Sequence, residues 1–125
     1  MDFRIRKALK FIEGDLDKDL VLEKVAKHCN LSYSRFRELF RREIKMSFSK
    51  YLIHQRIKVA MKLLRETELE INQIAFKVGY KDISNFYRYF KKIAGISPSL
   101  YRKISKIFIF KYINHLDIKI AKFTN

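Results

Sequence analysis

Two short rows of side chains, fifty residues apart, hold hydrogen-bonding groups suited to reading the edges of bases. The first row is Ser34, Arg35, Arg37, Glu38 and Arg41, and the second is Ser84, Asn85, Tyr87, Arg88 and Lys91. Arginine pairs bidentately with the O6/N7 edge of guanine, asparagine with the N6/N7 edge of adenine, and serine is permissive. Glu38 can accept from a cytosine amine or orient Arg35 or Arg42. Tyr87 can pack its ring while its hydroxyl reaches a phosphate. Ser34, Arg35, Arg37, Glu38, Ser84, Asn85, Tyr87 and Arg88 are therefore the candidate base-reading residues. Arg41, Arg42, Lys45, Lys91, Lys92 and Arg102 are the candidate phosphate contacts, which fix register without reading sequence.

Charge points the same way. The 125 residues hold 28 Lys and Arg against 13 Asp and Glu, a net charge of +15. Self-repulsion on that scale is relieved by a polyanion: nucleic acid first, an anionic membrane surface second. The sequence has no Gly-rich phosphate loop, nucleophile elbow or paired-carboxylate motif, so it predicts neither an enzyme nor a cofactor. His28, His54 and His115 are scattered and join the single Cys29 in no metal-ligand spacing. Cys29 ends an apolar stretch, which favours burial over redox sensing. A lone cysteine suits a reducing compartment. Asp2, Arg4, Arg6 and Lys7 interrupt any secretory pattern, and no window nears the ~18 apolar residues of a membrane span. A cytoplasmic protein with no membrane partner is expected.

The reading residues need helices to hold them. Ile5, Leu9 and Ile12 give a first amphipathic helix over about 2–13. Leu22, Val25 and Ala26 mark a short second one, ending near Cys29 and Asn30. Ser32 is a natural N-cap for a third, with Phe36, Leu39 and Phe40 inside. Ser47 caps a long fourth helix over 48–65, with Ile53, Ile57, Ala60 and Leu64 on one face. Ile71, Ile74, Ala75 and Val78 follow, broken by Gly79. Asp82 caps the helix of Phe86, Tyr89, Phe90 and Ile93, and Ser97-Pro98 opens another.

These elements form an internal repeat. Val25-Ala26 matches Ile74-Ala75 and, after one residue of slack, Phe36 matches Phe86, Phe40 matches Phe90, Ser47 matches Ser97 and Tyr51 matches Tyr101. Two helix-turn-helix units joined by a linker helix account for it. In such a unit a bracing helix carries a small residue at the crossing (Ala26, Ala75). The turn needs positive φ or a tight bend, met by Gly79 and by Asn30. The second helix enters the major groove. A linker of eighteen residues spans roughly 27 Å. Two reading helices can then lie near the roughly 34 Å repeat of a duplex, in adjacent grooves, with one chain covering an asymmetric site.

The run Gly79-Tyr80-Lys81-Asp82-Ile83-Ser84-Asn85-Phe86-Tyr87-Arg88-Tyr89-Phe90-Lys91-Lys92, with Gly95-Ile96-Ser97-Pro98 and Tyr101-Arg102, resembles the signature of the AraC/XylS family. Leu31-Ser32, Ser34-Arg35-Phe36, Leu39-Phe40-Arg41, Ser47-Phe48, Tyr51-Leu52 and the linker Gln55-Arg56-Ile57 agree, so the resemblance covers roughly residues 3–104. It implies an all-α double helix-turn-helix module of the homeodomain-like type and a bacterial transcription regulator. Such proteins are usually activators that recruit RNA polymerase at double-stranded promoter DNA, here expected to bind as a monomer. The same eight outward positions would face bases.

The expected organisation is a DNA-binding module over 1–105, with units over about 20–45 and 70–94, and a C-terminal arm or helix over 106–125. In that last segment Ile109, Ile113, Leu116 and Ile120 recur at helical spacing. Most family members carry a separate effector-binding or dimerisation domain, so the chain resembles either the short single-domain members or an isolated DNA-binding fragment of a larger effector-responsive regulator. Some positions depart from the pattern. Lys45 stands where Gly is usual, which predicts a strained or differently shaped turn. Val21 and Glu70 replace common Ser or Thr caps, a loss of about 1 kcal/mol each. Non-specific nucleic-acid or anionic-surface binding by charge alone is the alternative, but it would need no matched cores or caps.

Overall fold

Side-chain caps start four of the helices. Ser32 has extended backbone, and its hydroxyl accepts the Arg35 N–H at 3.3 Å. Ser47 accepts from Lys50 at 3.2 Å, Asp82 from Ser84 at 2.8 Å, and Ser97 from Leu100 at 3.2 Å. Each satisfies one of the amide donors that a helix N-terminus leaves without an intrahelical partner. A computed structural model describes residues 1–14, 16 and 22–109. The helices are α1 (Phe3–Gly14), α2 (Leu22–His28), α3 (Tyr33–Ile44), α4 (Phe48–Glu66), α5 (Ile71–Lys77), α6 (Ile83–Ala94) and α7 (98–109). No strand occurs among the described residues, so the all-α architecture expected from the sequence is the one observed. Val21, Ile113, His115, Leu116 and Ile120 lie outside the described residues.

Apolar side chains divide into two cores. The first joins Ile5, Ala8 and Ile12 of α1 to Val25 and Ala26 of α2, Phe36, Leu39 and Phe40 of α3, and Phe48 and Leu52 of α4. The second joins Ile57, Ala60 and Leu64 of α4 to Ile74 and Ala75 of α5, then Val78, Tyr80, Phe86 and Phe90. The ring geometry repeats as well. Phe36–Phe40 and Phe86–Phe90 centroids lie 5.6 and 5.7 Å apart, and Phe40–Tyr51 and Phe90–Tyr101 lie 5.4 and 5.6 Å apart, edge to face. Burying each such phenyl contributes about 1.5–3 kcal/mol.

α4 therefore belongs to both units. Its Phe48 and Leu52 complete the first core, as the start of α7 completes the second. Its Ile57, Ala60 and Leu64 then take, in the second core, the places Ile5, Ala8 and Ile12 hold in the first. The linker is thus the last helix of one unit and the first helix of the next.

The turns follow from local chemistry. Ala26 and Ala75 are 1% and 0% exposed, small enough for the bracing helix to approach its neighbours. Asn30 and Gly79 have positive φ, 58° and 105°. Lys45 adopts φ 69° and ψ 17°, and its N–H donates to Arg41 O at 2.9 Å. Gly95 ends α6 with φ 82° and ψ −10°, its N–H donating to Lys91 O at 2.8 Å. Lysine therefore keeps the glycine-type turn and accepts the left-handed strain, instead of reshaping it. Glu70 is no lost cap. It forms a capping box with Gln73, whose side-chain oxygen accepts the Glu70 N–H at 3.1 Å.

Four hydrogen bonds hold α7 to the region around the end of α4. Arg102 donates to Leu64 O at 3.1 Å and Thr67 O at 3.2 Å, Arg65 to the Tyr101 hydroxyl at 2.6 Å, and Lys106 to Glu68 at 2.7 Å. The Lys106 ammonium holds the Glu68 carboxyl below its ordinary pKa.

Candidate nucleic-acid interface

A helix whose inner stripe is sealed into a core offers only its outer stripe to a partner. In α3 that stripe presents Ser34, Arg35, Arg37, Glu38, Arg41 and Arg42, all exposed. In α6 it presents Ser84, Tyr87, Arg88, Lys91 and Lys92, exposed, with Asn85 half-buried. The phenyl groups between them, Phe36, Phe40, Phe86 and Phe90, are fully buried and serve as core, not as platforms for bases.

The two outer stripes share a pre-formed pair at the same register. In α3, Arg35 Nη1 donates to Glu38 Oε1 at 3.2 Å. In α6, Arg88 Nη2 donates to Asn85 Oδ1 at 2.9 Å. Residues 35 and 85 are equivalent, as are 38 and 88, so the donor and acceptor ends are exchanged between the units. Both pairs are exposed and hold each arginine in place. An exposed ion pair such as Arg35–Glu38 contributes at most about 1 kcal/mol, so a base can displace it at small cost. Aromatic rings brace the arginines further: Arg37 lies over Tyr33 at 5.7 Å and Arg88 over Tyr89 at 5.0 Å. Tyr87 meets Phe86 edge-on at 5.8 Å and remains 38% exposed.

Charge is unevenly spread. No acidic residue interrupts α6, whereas α3 contains Glu38 and Glu43. Glu43 turns toward the N-terminus and accepts the Asp2 N–H at 3.3 Å. Lys45 stands exposed at the end of α3. Arg102 differs from the other candidate phosphate contacts: it is half-buried, with its guanidinium held by two backbone carbonyls. It joins α7 to the end of α4.

Spacing along the chain does not single out Tyr33, Lys50 or His54. Tyr33 helps line a cleft of about 280 Å³ with Ser34, Arg37, Glu38 and Arg41 on the outer face of α3. Lys50 and His54 of α4 face Tyr89 and Lys92 of α6 across a cleft of about 380 Å³. That second cleft exists because α4 packs against α6, a tertiary relation with no sequence signal.

Other chemistries are weakly represented. Cys29 is 2% exposed, and burial pushes its thiol pKa up, away from the reactive thiolate. Among the described residues no three His, Cys, Asp or Glu side chains cluster as metal ligands. No described helix is long and apolar enough to cross a membrane.

Paired helix-turn-helix units with basic outward faces define a double DNA-binding module. Comparison with known proteins gives its lineage. Residues 25–104 match the family model described as a helix-turn-helix domain. The chain is 39% identical over 103 residues to the arabinose operon regulatory protein of Escherichia coli, covering 82% of this chain and 35% of that one. It is 36% identical over 98 residues to the transcriptional activator AarP of Providencia stuartii, covering 78% of this chain and 73% of AarP. Among solved structures, the C-terminal domain of AraT, a response regulator from Geobacillus stearothermophilus, superposes with a TM-score of 0.79. Its sequence identity is 36%, covering 82% of this chain and 86% of that one. The chain belongs to the AraC-type helix-turn-helix family of DNA-binding transcription regulators. It spans 12% to 35% of the length of several curated relatives that it matches.

Proposed function

We infer that the protein activates transcription by laying α3 and α6 into adjacent major grooves of promoter DNA, as a monomer, in contact with RNA polymerase. One observation carries this reading: two equivalent helices with sealed inner faces turn eight base-compatible side chains outward. Ser34, Arg35, Arg37 and Glu38 read one groove, and Ser84, Asn85, Tyr87 and Arg88 read the next. Arg41, Arg42, Lys45, Lys91 and Lys92 hold phosphates on either side. The module comprises residues 1–105, with units over about 20–45 and 70–94, and α7 continues beyond it to 109. AarP, of which the chain covers 73%, is itself an activator by name, which favours activation over repression. The work is done in the cytoplasm, where promoter DNA lies, and involves no catalytic step.

The test is competition between duplexes. Promoter fragments from the surrounding genome are titrated against scrambled duplexes of equal length at moderate salt. A specific regulator binds at least one promoter about a thousandfold more tightly than scrambled DNA. Equal affinity for both would leave only charge-driven binding.

A further inference from the structure

One side chain of the shared helix touches both units. Arg56 stands in α4 between Leu52, the last buried residue of the first core, and Ile57, the first buried residue of the second. Its Nε donates to the carbonyl oxygen of Leu16 at 3.1 Å, between α1 and α2 of the first unit. Its guanidinium lies over the Tyr80 ring, in the second unit, at 5.8 Å. Gly79 completes the contact. A Cβ there would collide with the Leu16 carbonyl oxygen and lie 2.9 Å from Arg56 Nε, and φ at this turn is +105°. Gly79 thus serves both its own turn and the close approach of the first unit's backbone.

A helix shared between two domains leaves residual freedom, because each unit can roll about its own half of the helix and the helix can bend. A cross-link that touches both units at the handover removes that freedom. It also acts close to the pivot, so a displacement of one ångström there becomes several at the tips of α3 and α6.

We propose that Arg56 is a positioning residue: by bridging Leu16 and the Gly79-Tyr80 turn it fixes the angle between the two reading helices, and so sets the half-site spacing the protein accepts. The consequence for DNA rests on the groove-reading role inferred above; the consequence for unit geometry does not. Arginine suits the position because one planar group can donate to a carbonyl at its edge and stack on a ring with its face. Arg56→Met keeps the stem and removes the contacts to Leu16 and Tyr80, while Arg56→Lys keeps the charge and a donor.

Two measurements separate the claims. For geometry, spin labels are placed at Lys27→Cys on α2 and Lys77→Cys on α5, both exposed, in a Cys29→Ala background, without DNA. Circular dichroism and a single melting transition confirm that each protein is folded. The distance distribution is expected to be narrow with Arg56, about twofold broader with Met, and intermediate with Lys, because small shifts at a junction are amplified across packed units. An unchanged width in Arg56→Met overturns the proposal. Should Met prevent folding, the Lys variant decides: a width equal to that of the parent overturns it.

For DNA, a duplex selected by the parent protein from a random library is remade with one base pair inserted between its half-sites. The parent loses about tenfold in affinity, the scale of one mismatched pair, and Arg56→Met loses about threefold or less. Equal losses overturn the spacing role. If selection yields no preferred duplex, the DNA-reading role fails, while the label distances still decide the junction.

Discussion

Lys45 and Gly95 occupy equivalent left-handed positions, so together they isolate the energetic cost of one β-carbon. Both donate their N–H to the carbonyl four residues back, at 2.9 and 2.8 Å. Neither turn differs in hydrogen bonding, and a Cβ built on Gly95 meets nothing within 4 Å. The difference is therefore conformational. A side chain at this φ costs about 1–2 kcal/mol, and the extra freedom of glycine in the unfolded chain returns about 0.5–1 kcal/mol of that. Lys45→Gly should then be more stable than Lys45→Ala by about 0.5–1 kcal/mol, or roughly 2–4 °C in melting temperature for a chain of this size. Gly95→Ala should lose a similar amount. Urea titration gives both values if the slopes stay constant. Both Lys45 variants remove the same cation, so each should lower the slope of log affinity against log salt by about 0.9. If Lys45→Gly is no more stable than Lys45→Ala, the left-handed strain at this turn is absent. If the salt slopes do not move, Lys45 does not meet phosphate.

Further substitutions address the interface and the cores. Arg88→Ala should relax base preference at one position and cost about 1–3 kcal/mol there, visible as a changed motif in selected duplexes. An unchanged motif means α6 does not read bases through Arg88. Lys92→Ala should weaken all sequences alike and flatten the salt slope, measured by fluorescence anisotropy across salt. Phe86→Ala empties a fully buried site and should cost about 3–5 kcal/mol, giving a chain partly or wholly unfolded by circular dichroism. Tyr80 is 7% exposed and its hydroxyl finds no partner among the described residues. Burial pushes its pKa up to about 12, whereas the unfolded chain ionises near 10. The unfolded state therefore loses the proton first, and stability should fall as pH rises from about 10 to about 12. Tyr80→Phe should be at least as stable at pH 8 and show a shallower alkaline decline, read from urea midpoints at the two pH values.

The helix starts at Ser32, Ser47, Asp82 and Ser97-Pro98 are legible in the sequence, because an N-cap is a contact across two or three residues. The apolar stripes and the repeat of Phe36 and Phe40 in Phe86 and Phe90 were equally legible, since periodicity alone assigns an inner face. The cap at Glu70 is not legible as a Ser or Thr, because it is supplied jointly with Gln73. Arg102 looked like a phosphate ligand in the sequence. Only packing shows its guanidinium turned back onto the carbonyls of Leu64 and Thr67.

Local chemistry in the chain determined which segments become helices, which faces are buried, and which residues remain outside to meet a partner. Tertiary structure decided the rest: that α4 is divided between two cores, that Arg35 and Arg88 sit in matched pairs, and that Gly79 lies against the backbone of Leu16. Caps and periodicity act over three or four residues, within reach of sequence reasoning. The join between the units depends on groups forty residues apart, brought together only once both cores have closed around the same helix.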